Sequence, residues 1–261
     1  MMTKSHNFFL DNPNPYPLLI SSNSFVFFIS LLIFMKYGDW GILMFSISSV
    51  SLIALFWWAN FSGEFNLEGK DSFNMEKGVK NGMIFFISSE VFFFFTFFWS
   101  YFHYNLSPSM EISMEWPPVM VSMFDFSNVP FLNTLILLTS GLTVTISHFY
   151  LTCSQTRKAK IFLSVTVGLG LLFTYFQLVE YSSGLFTISD SSFGSIFFIL
   201  TGFHGLHVLI GTLFLLAILW RFFKNCAGNL ESLSFEICSW YWHFVDVVWI
   251  FLFYTLYYIN A

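Results

Sequence analysis

Charge is what this sequence lacks most. Of 261 residues, only 10% are Asp, Glu, Lys or Arg, where a soluble domain carries about a quarter. That deficit leaves too little polar surface to cover a water-soluble globule, so lipid is the solvent for most of the chain. Cysteine is scarce as well. Cys153, Cys226 and Cys238 form no C-x-x-C pair, which excludes a zinc ribbon or a thiolate copper motif, and their odd number argues against a disulfide framework. No basic stripe alternates with aromatics, so nucleic acid is not a partner. The start MMTKSHNFFLDNPNPYPLL has neither the basic region and cleavage site of a signal peptide nor the arginines of a transit peptide. Insertion without a cleaved address is the expectation. No internal repeat is visible, and none of the seven prolines falls in the middle of an expected span.

What the sequence has in excess is apolar length. Hydrophobic residues make up 56% and Phe alone supplies 39 positions, and mean hydropathy is +0.70. An AT-rich coding strand favours Phe codons, and Phe replaces Leu on a lipid-facing surface at little cost. The uncharged runs cover 12–35, 40–63, 91–110, 126–156, 161–179, 191–220 and 247–261. A helix needs about 20 apolar residues to cross a hydrocarbon core of about 30 Å. Two runs reach that length only by taking in one acid each, Glu90 and Asp246. The expected fold is all-α, an integral membrane seven-helix bundle in a single membrane domain over 1–261. Two helices lie in 16–60 (16–35 and 40–60), and a five-helix part fills 78–258 (78–105, 129–152, 159–183, 191–222 and 234–258). Substantial loops are expected only at 62–80 and 106–128.

Lys and Arg set the orientation. With seven spans, Lys4, Lys70, Lys77, Lys80, Arg157, Lys158, Lys160, Arg221 and Lys224 share one side, and Lys36 alone takes the other. Basic loops stay inside, which predicts the N-terminus inside and the C-terminus outside. All three cysteines then lie toward the inside, in keeping with a reducing compartment. Trp40, Trp57, Trp58, Trp99, Trp220, Trp240 and Trp242 fall near span ends, where aromatic belts sit. Gly78/Gly82, Gly141/Thr145 and Thr201/Gly205 have the four-residue spacing of close helix contacts; chance, in a chain with 15 Gly, is the alternative.

Ionisable groups inside the spans carry the chemical information, because each is costly in lipid unless neutralised or paired. Glu90 and Asp246 each lie twelve residues into a span, about 18 Å deep at 1.5 Å per residue. His204 and His207 reach a similar depth from the other side, and His243 is one turn from Asp246. Glu90 is expected to be neutral or tightly hydrogen-bonded, with histidines or the adjoining Ser88 and Ser89 as partners. His148 and His103 lie nearer the surfaces. Glu180 and Asp190 are expected to flank span ends, where water solvates them. The set Glu90, His204, His207, His243 and Asp246 has three readings. It could hold a metal, since imidazole and carboxylate suit zinc, iron or copper; it could relay protons; or it could be hydrogen-bonded glue between helices. Nothing in it resembles a haem or thiolate-copper arrangement.

Five segments resemble the cytochrome c oxidase subunit III family. They are NGMIFFISSEVFFFFTFFWSYFH (81–103), EWPP (115–118), VPFLNTLILLTSGLTVTISH (129–148), FTISDSSFGSIFFILTGFHGLHVLIGT (186–212) and WYWHFVDVVWIFLFY (240–254). With LVEY (178–181) and NPNPYPL near the start, the resemblance spans essentially the whole chain. It implies a subunit without catalytic residues or metal of its own, in the mitochondrial inner membrane with the N-terminus in the matrix. Haem and copper would belong to partner subunits of a complex that passes electrons from cytochrome c to oxygen and pumps protons. Subunit I would be the main contact, with subunit II, accessory subunits and a respiratory supercomplex as further partners. The first two helices would splay from the other five, around structural phospholipids. Lys77, Lys80, Arg157, Lys158 and Arg221 are the basic residues expected to face lipid. Glu90 falls on the family's membrane-buried glutamate, and His204, His207, His243 and Asp246 on its other buried polar positions. The chain departs from the family at EGKDSF (68–73), where a His-Thr pair is common, and at Lys80, where Arg is common. It departs again at Ser191, where Gly is usual, and at Tyr16, where Trp is usual. Subunit III of a quinol oxidase would share this fold. A secondary transporter would instead show repeats and broken helices.

Overall fold

The computed structural model describes residues 14–67, 73–110, 114–119, 121–224 and 229–260, with side chains left out at 61–67, 73–75 and 229–231. The described residues form seven long helices and no strand: α1 (Tyr16–Tyr37), α2 (Trp40–Leu67), α3 (Phe73–Leu106), α4 (Val129–Thr152), α5 (Thr156–Ser183), α6 (Ser192–Phe223) and α7 (Asn229–Leu252). The last continues as a π-helical turn, Phe253–Tyr258. Each of the seven contains a stretch long and apolar enough to cross a membrane. Lipid offers the backbone no hydrogen bonds, so a chain this apolar satisfies its peptide groups within helices.

Local chemistry sets the helix ends. Pro17 and Pro130 occupy the first turns of α1 and α4, where a missing N–H costs nothing. Gly38 closes α1 at φ 72°, its N–H donating to Phe34 O; that left-handed backbone suits a residue without Cβ. Ser191 caps α6, its Oγ accepting from Gly194 N at 3.0 Å, so the departure from Gly has a use here. Ser191→Ala is expected to cost about 1 kcal/mol and Ser191→Gly only a few tenths, read as shifts in the thermal midpoint. Equal midpoints for the two variants would contradict the cap. Inside the helices most hydroxyls bond back to their own turn, as Ser88 does to Ile84 O and Ser89 to Phe86 O. A serine in an apolar helix therefore needs no partner.

The described chain divides into two compact units, residues 1–80 and 81–261. In the first, α1 packs on α2, with Ser30 Oγ and Ser46 Oγ 2.7 Å apart in a buried contact. Asn60 Nδ2 donates to Tyr16 Oη at 2.6 Å, which ties the start of α1 to α2. The expected loop at 62–80 is a correction. It is mostly helix, since α2 runs to Leu67 and α3 starts at Phe73, and 68–72 lie outside the described residues. Hydropathy reports depth in the membrane, and a charged turn can stay helical beyond it. Glu76 stands in the first turn of α3, the favourable end for an acid, and Lys80 Nζ meets it at 3.0 Å.

In the second unit α4 packs on α5 and α7, and α6 packs on the same two helices. Trp242 lies at the centre, fully buried. A Cβ on Gly211 would stand 2.9 Å from its ring, and one on Gly170 would stand 2.8 Å from it, so two glycines make its slot. Its Nε1 donates to Ser140 Oγ at 2.9 Å, which links α7 to α4. Trp242 is thus a packing residue and no member of an interfacial belt, while Trp40, Trp58, Trp99 and Trp220 are exposed. Among the small-residue pairs, Gly141 and Gly205 do sit against neighbours (Asp246 and Gln177), whereas Gly82 faces open space. The segment of α3 from Asn81 onward joins α6 and α7 through rings: Phe93 and Phe97 on Phe203, Phe94 on Phe244, Phe98 on Phe251. Between α3 and α4, Asp125 accepts from Ser127 Oγ, Ser127 N and Asn128 Nδ2. The Ser127 hydroxyl first, then its N–H, hold this exposed carboxyl below the usual carboxylate range.

Candidate functional site

The residues singled out in the spans separate into three places. Glu90, near the middle of α3, meets His207, near the middle of α6, with Oε2 2.8 Å from Nε2. The other ring nitrogen, Nδ1, lies 2.7 Å from Phe203 O. A carbonyl only accepts, so Nδ1 carries a hydrogen. Nε2 and Oε2 would then oppose lone pairs unless one proton lay between them. Either a carboxylic acid donates to the imidazole, or an imidazolium donates to the carboxylate. Both forms are neutral as a pair, which is the tolerable state in a low-dielectric setting. Phe94 packs edge-on to the imidazole and Tyr241 stacks near it, at centroid distances of 5.0 and 6.3 Å. Ser88 and Ser89 take no part, because both are committed to their own helix. The Glu90 side chain keeps 22% of its surface exposed.

The second place is on α7, where His243 Nδ1 is 3.9 Å from Asp246 Oδ2, too long for a strong hydrogen bond. Asp246 presses on α4 instead: a Cβ added to Gly141 would lie 2.6 Å from its Oδ2. Gly141 is thus the residue that lets a carboxylate approach that helix. His243 is 42% exposed, though its Nδ1 would lie 3.7 Å from a Cβ on the same Gly141. The third place is His204, 0% exposed, with Phe173 edge-on at 5.6 Å and Trp249 tilted at 5.1 Å. Among the described residues, no three His, Cys, Asp or Glu side chains converge as a metal site would require.

Glu180 corrects the expectation of a solvated span end. It is 2% exposed, and Tyr257 Oη donates to its Oε1 at 2.6 Å. The π-helical turn adds a residue to the last turns of α7, and Tyr257 belongs to that turn. No local pattern links positions 180 and 257; the charged residue at the end of a long apolar run was the only available signal. Asp190 is exposed and accepts from Thr187 N at 2.6 Å. Of the basic residues, Lys77, Arg157 and Lys158 are exposed and Lys80 and Arg221 are half-buried. Lys158 Nζ sits 5.1 Å above the Tyr150 ring. His103 stacks on Trp99, and His148 on Phe235. Cys153 is exposed and Cys238 buried, both as free thiols, and Cys226 lies outside the described residues.

Comparison with known proteins decides what these parts belong to. The family model for cytochrome c oxidase subunit III matches residues 6–261. The chain belongs to the cytochrome c oxidase subunit III family. It is 41% identical to the cytochrome c oxidase subunit 3 of Prototheca wickerhamii, over 98% of each chain. The subunit 3 of Struthio camelus is 39% identical over 98% of each. That of Arabidopsis thaliana is 41% identical, over 98% of this chain and 97% of the relative. Family membership makes the protein a subunit of an oxidase complex and, with its seven apolar helices, a multi-pass membrane protein. It also sets the secondary-transporter reading aside. For this subunit III family member, haem or copper would need donors that the described residues do not bring together. Both nitrogens of His207 are engaged, and His204 is sealed among rings. The described residues do not fit either group.

Proposed function

We propose that this chain is the non-redox core subunit of a cytochrome c oxidase in the mitochondrial inner membrane. It supports the catalytic subunit in electron transfer from cytochrome c to oxygen coupled to proton pumping. The family match over residues 6–261 carries the reading. Subunit I is its main contact, with subunit II and accessory subunits beside it. The N-terminus faces the matrix, because the basic residues divide so unevenly between the two sides. In this reading the chain supplies no catalytic residue and no metal ligand; haem and copper reside in its partners. Glu90 with His207 is a polar tie between α3 and α6 with an exchangeable proton, and Asp246 with His243 is a loose polar pair within α7. Lys77, Lys80, Arg157, Lys158 and Arg221 face phospholipid head groups, each basic side chain near such a surface adding about 1 kcal/mol. Lys80 contributes a point charge where Arg would offer a bidentate clamp.

Purification of the native complex through this chain tests the proposal. The expected result is a haem spectrum of an oxidase and subunit masses that include a copper-bearing subunit II. A complex without that subunit would instead indicate the quinol-oxidising relative. Stoichiometric haem, copper or zinc retained by the isolated chain would contradict the non-redox reading.

A further inference from the structure

The core formed by α4 to α7 is polar at one end. In the half where α5 finishes and α6 begins, it buries Asn133, Gln177, Glu180, Thr201, His204 and Tyr257. Leu163, Leu219, Phe222 and Phe235 fill the other end. Several groups of the polar end satisfy one another. Gln177 Nε2 donates to Thr201 O at 2.8 Å and to Tyr181 Oη at 3.2 Å, and Tyr257 serves Glu180. The side-chain amide of Asn133 and Oε2 of Glu180 lack a partner among the described residues, and so does His204. Neither of its ring nitrogens has a hydrogen-bond partner among the described residues, and neither has Nε1 of Trp249, its neighbour. A neutral imidazole offers one donor and one acceptor, and an indole one donor. Buried groups of this kind are nearly always paired in native proteins.

The burial of His204 restricts what can complete it. Glu90 and His243 keep 22% and 42% of their side-chain surface, so a lipid or a neighbouring subunit can reach them. His204 keeps 0% and Trp249 1%, in a chain taken by itself. Neither a partner's side chain nor a head group reaches them. Only a molecule small enough to live inside the bundle qualifies, and it must both donate and accept. We propose that His204 and Trp249 form an internal water site at the polar end of the α4 to α7 core. Water there accepts from Trp249 Nε1–H and donates to the bare ring nitrogen of His204. Phe173, edge-on to both rings at 5.6 and 4.8 Å, holds their planes in place. The site is separate from the Glu90–His207 pair and independent of any role assigned to that pair.

The test is a density map of the intact complex containing this chain, at a resolution that shows ordered water. The expected map has solvent density within about 3.2 Å of both a His204 ring nitrogen and Trp249 Nε1. His204→Phe keeps the ring contacts with Phe173 and Trp249 but cannot hold water on its ring. It should lose density at that edge and shift the thermal midpoint of the complex downward. If the variant fails to assemble, the parent map alone decides. Protein atoms alone around His204 in that map would overturn the proposal. So would a His204→Phe complex as heat-stable as the parent.

Discussion

Trp242→Ala is expected to be among the most damaging single substitutions in the second unit, costing about 3–5 kcal/mol as other buried aromatic truncations do. The ring fills a slot that Gly170 and Gly211 leave open for it. Its indole nitrogen makes a bond to Ser140 that links α7 to α4. Truncation would open a cavity at the meeting point of four helices and leave the Ser140 hydroxyl with only its bond to Leu137 O. The measurable outcome is a sharp fall in assembled complex and in its thermal midpoint. Trp242→Phe keeps most of the volume and loses the Ser140 bond, so its effect should be clearly smaller. Gly211→Leu should resemble the alanine variant, because even its Cβ would stand 2.9 Å from the Trp242 ring. Parent-like assembly and melting of Trp242→Ala would show that the slot does not hold the bundle together.

Glu90→Gln should leave oxygen reduction nearly normal, whereas Glu90→Leu should weaken the α3–α6 contact. The glutamine amide can donate to His207 Nε2 as the acid or its shared proton does now, so the 2.8 Å bond survives. Leucine leaves that buried nitrogen without a partner, a loss of about 1–3 kcal/mol. An apolar carbodiimide, which reacts with a protonated carboxyl, should label Glu90 first. The pair holds a proton there and the side chain is partly exposed. Asp246, at 9% side-chain exposure, should react less, and Glu180, at 2%, hardly at all. Mass mapping of labelled peptides reads the order directly. If Glu90→Gln abolished oxygen reduction in a fully assembled complex with normal haem spectra, the supporting role would fall.

Both predictions rest on side-chain neighbours that composition could not supply. Trp240 and Trp242 stand two residues apart in one motif, yet the first is half-buried and the second is central. Proximity to a span end placed both in an aromatic belt, because the pattern reports distance along the membrane normal and says nothing of which helix face points inward. Gly170, Gly211 and Ser140 come from three helices, and their convergence on one indole has no trace in local spacing. The acids divide in the same way. Ser88 and Ser89 adjoin Glu90 in the chain, but they bond to their own carbonyls, and the partner is a histidine on another helix. Glu180 stands near a charged boundary, where water was the natural partner, until Tyr257 of the π-helical turn covers it.

What the sequence determined by itself follows from solvent physics. Long uncharged runs in a nearly charge-free chain can satisfy their backbone in lipid only as helices, so seven helices and an all-α fold were legible. The segments around Glu90, His207 and Asp246 were specific enough to point to the family, which the comparisons then showed. The tertiary structure alone decided how five candidate residues sort into a proton-sharing pair, a loose pair and an isolated histidine. Depth along a helix is set by residue number. Which side chains meet depends on rotation about each helix axis, and only the packing of α3 to α7 against one another fixes that rotation.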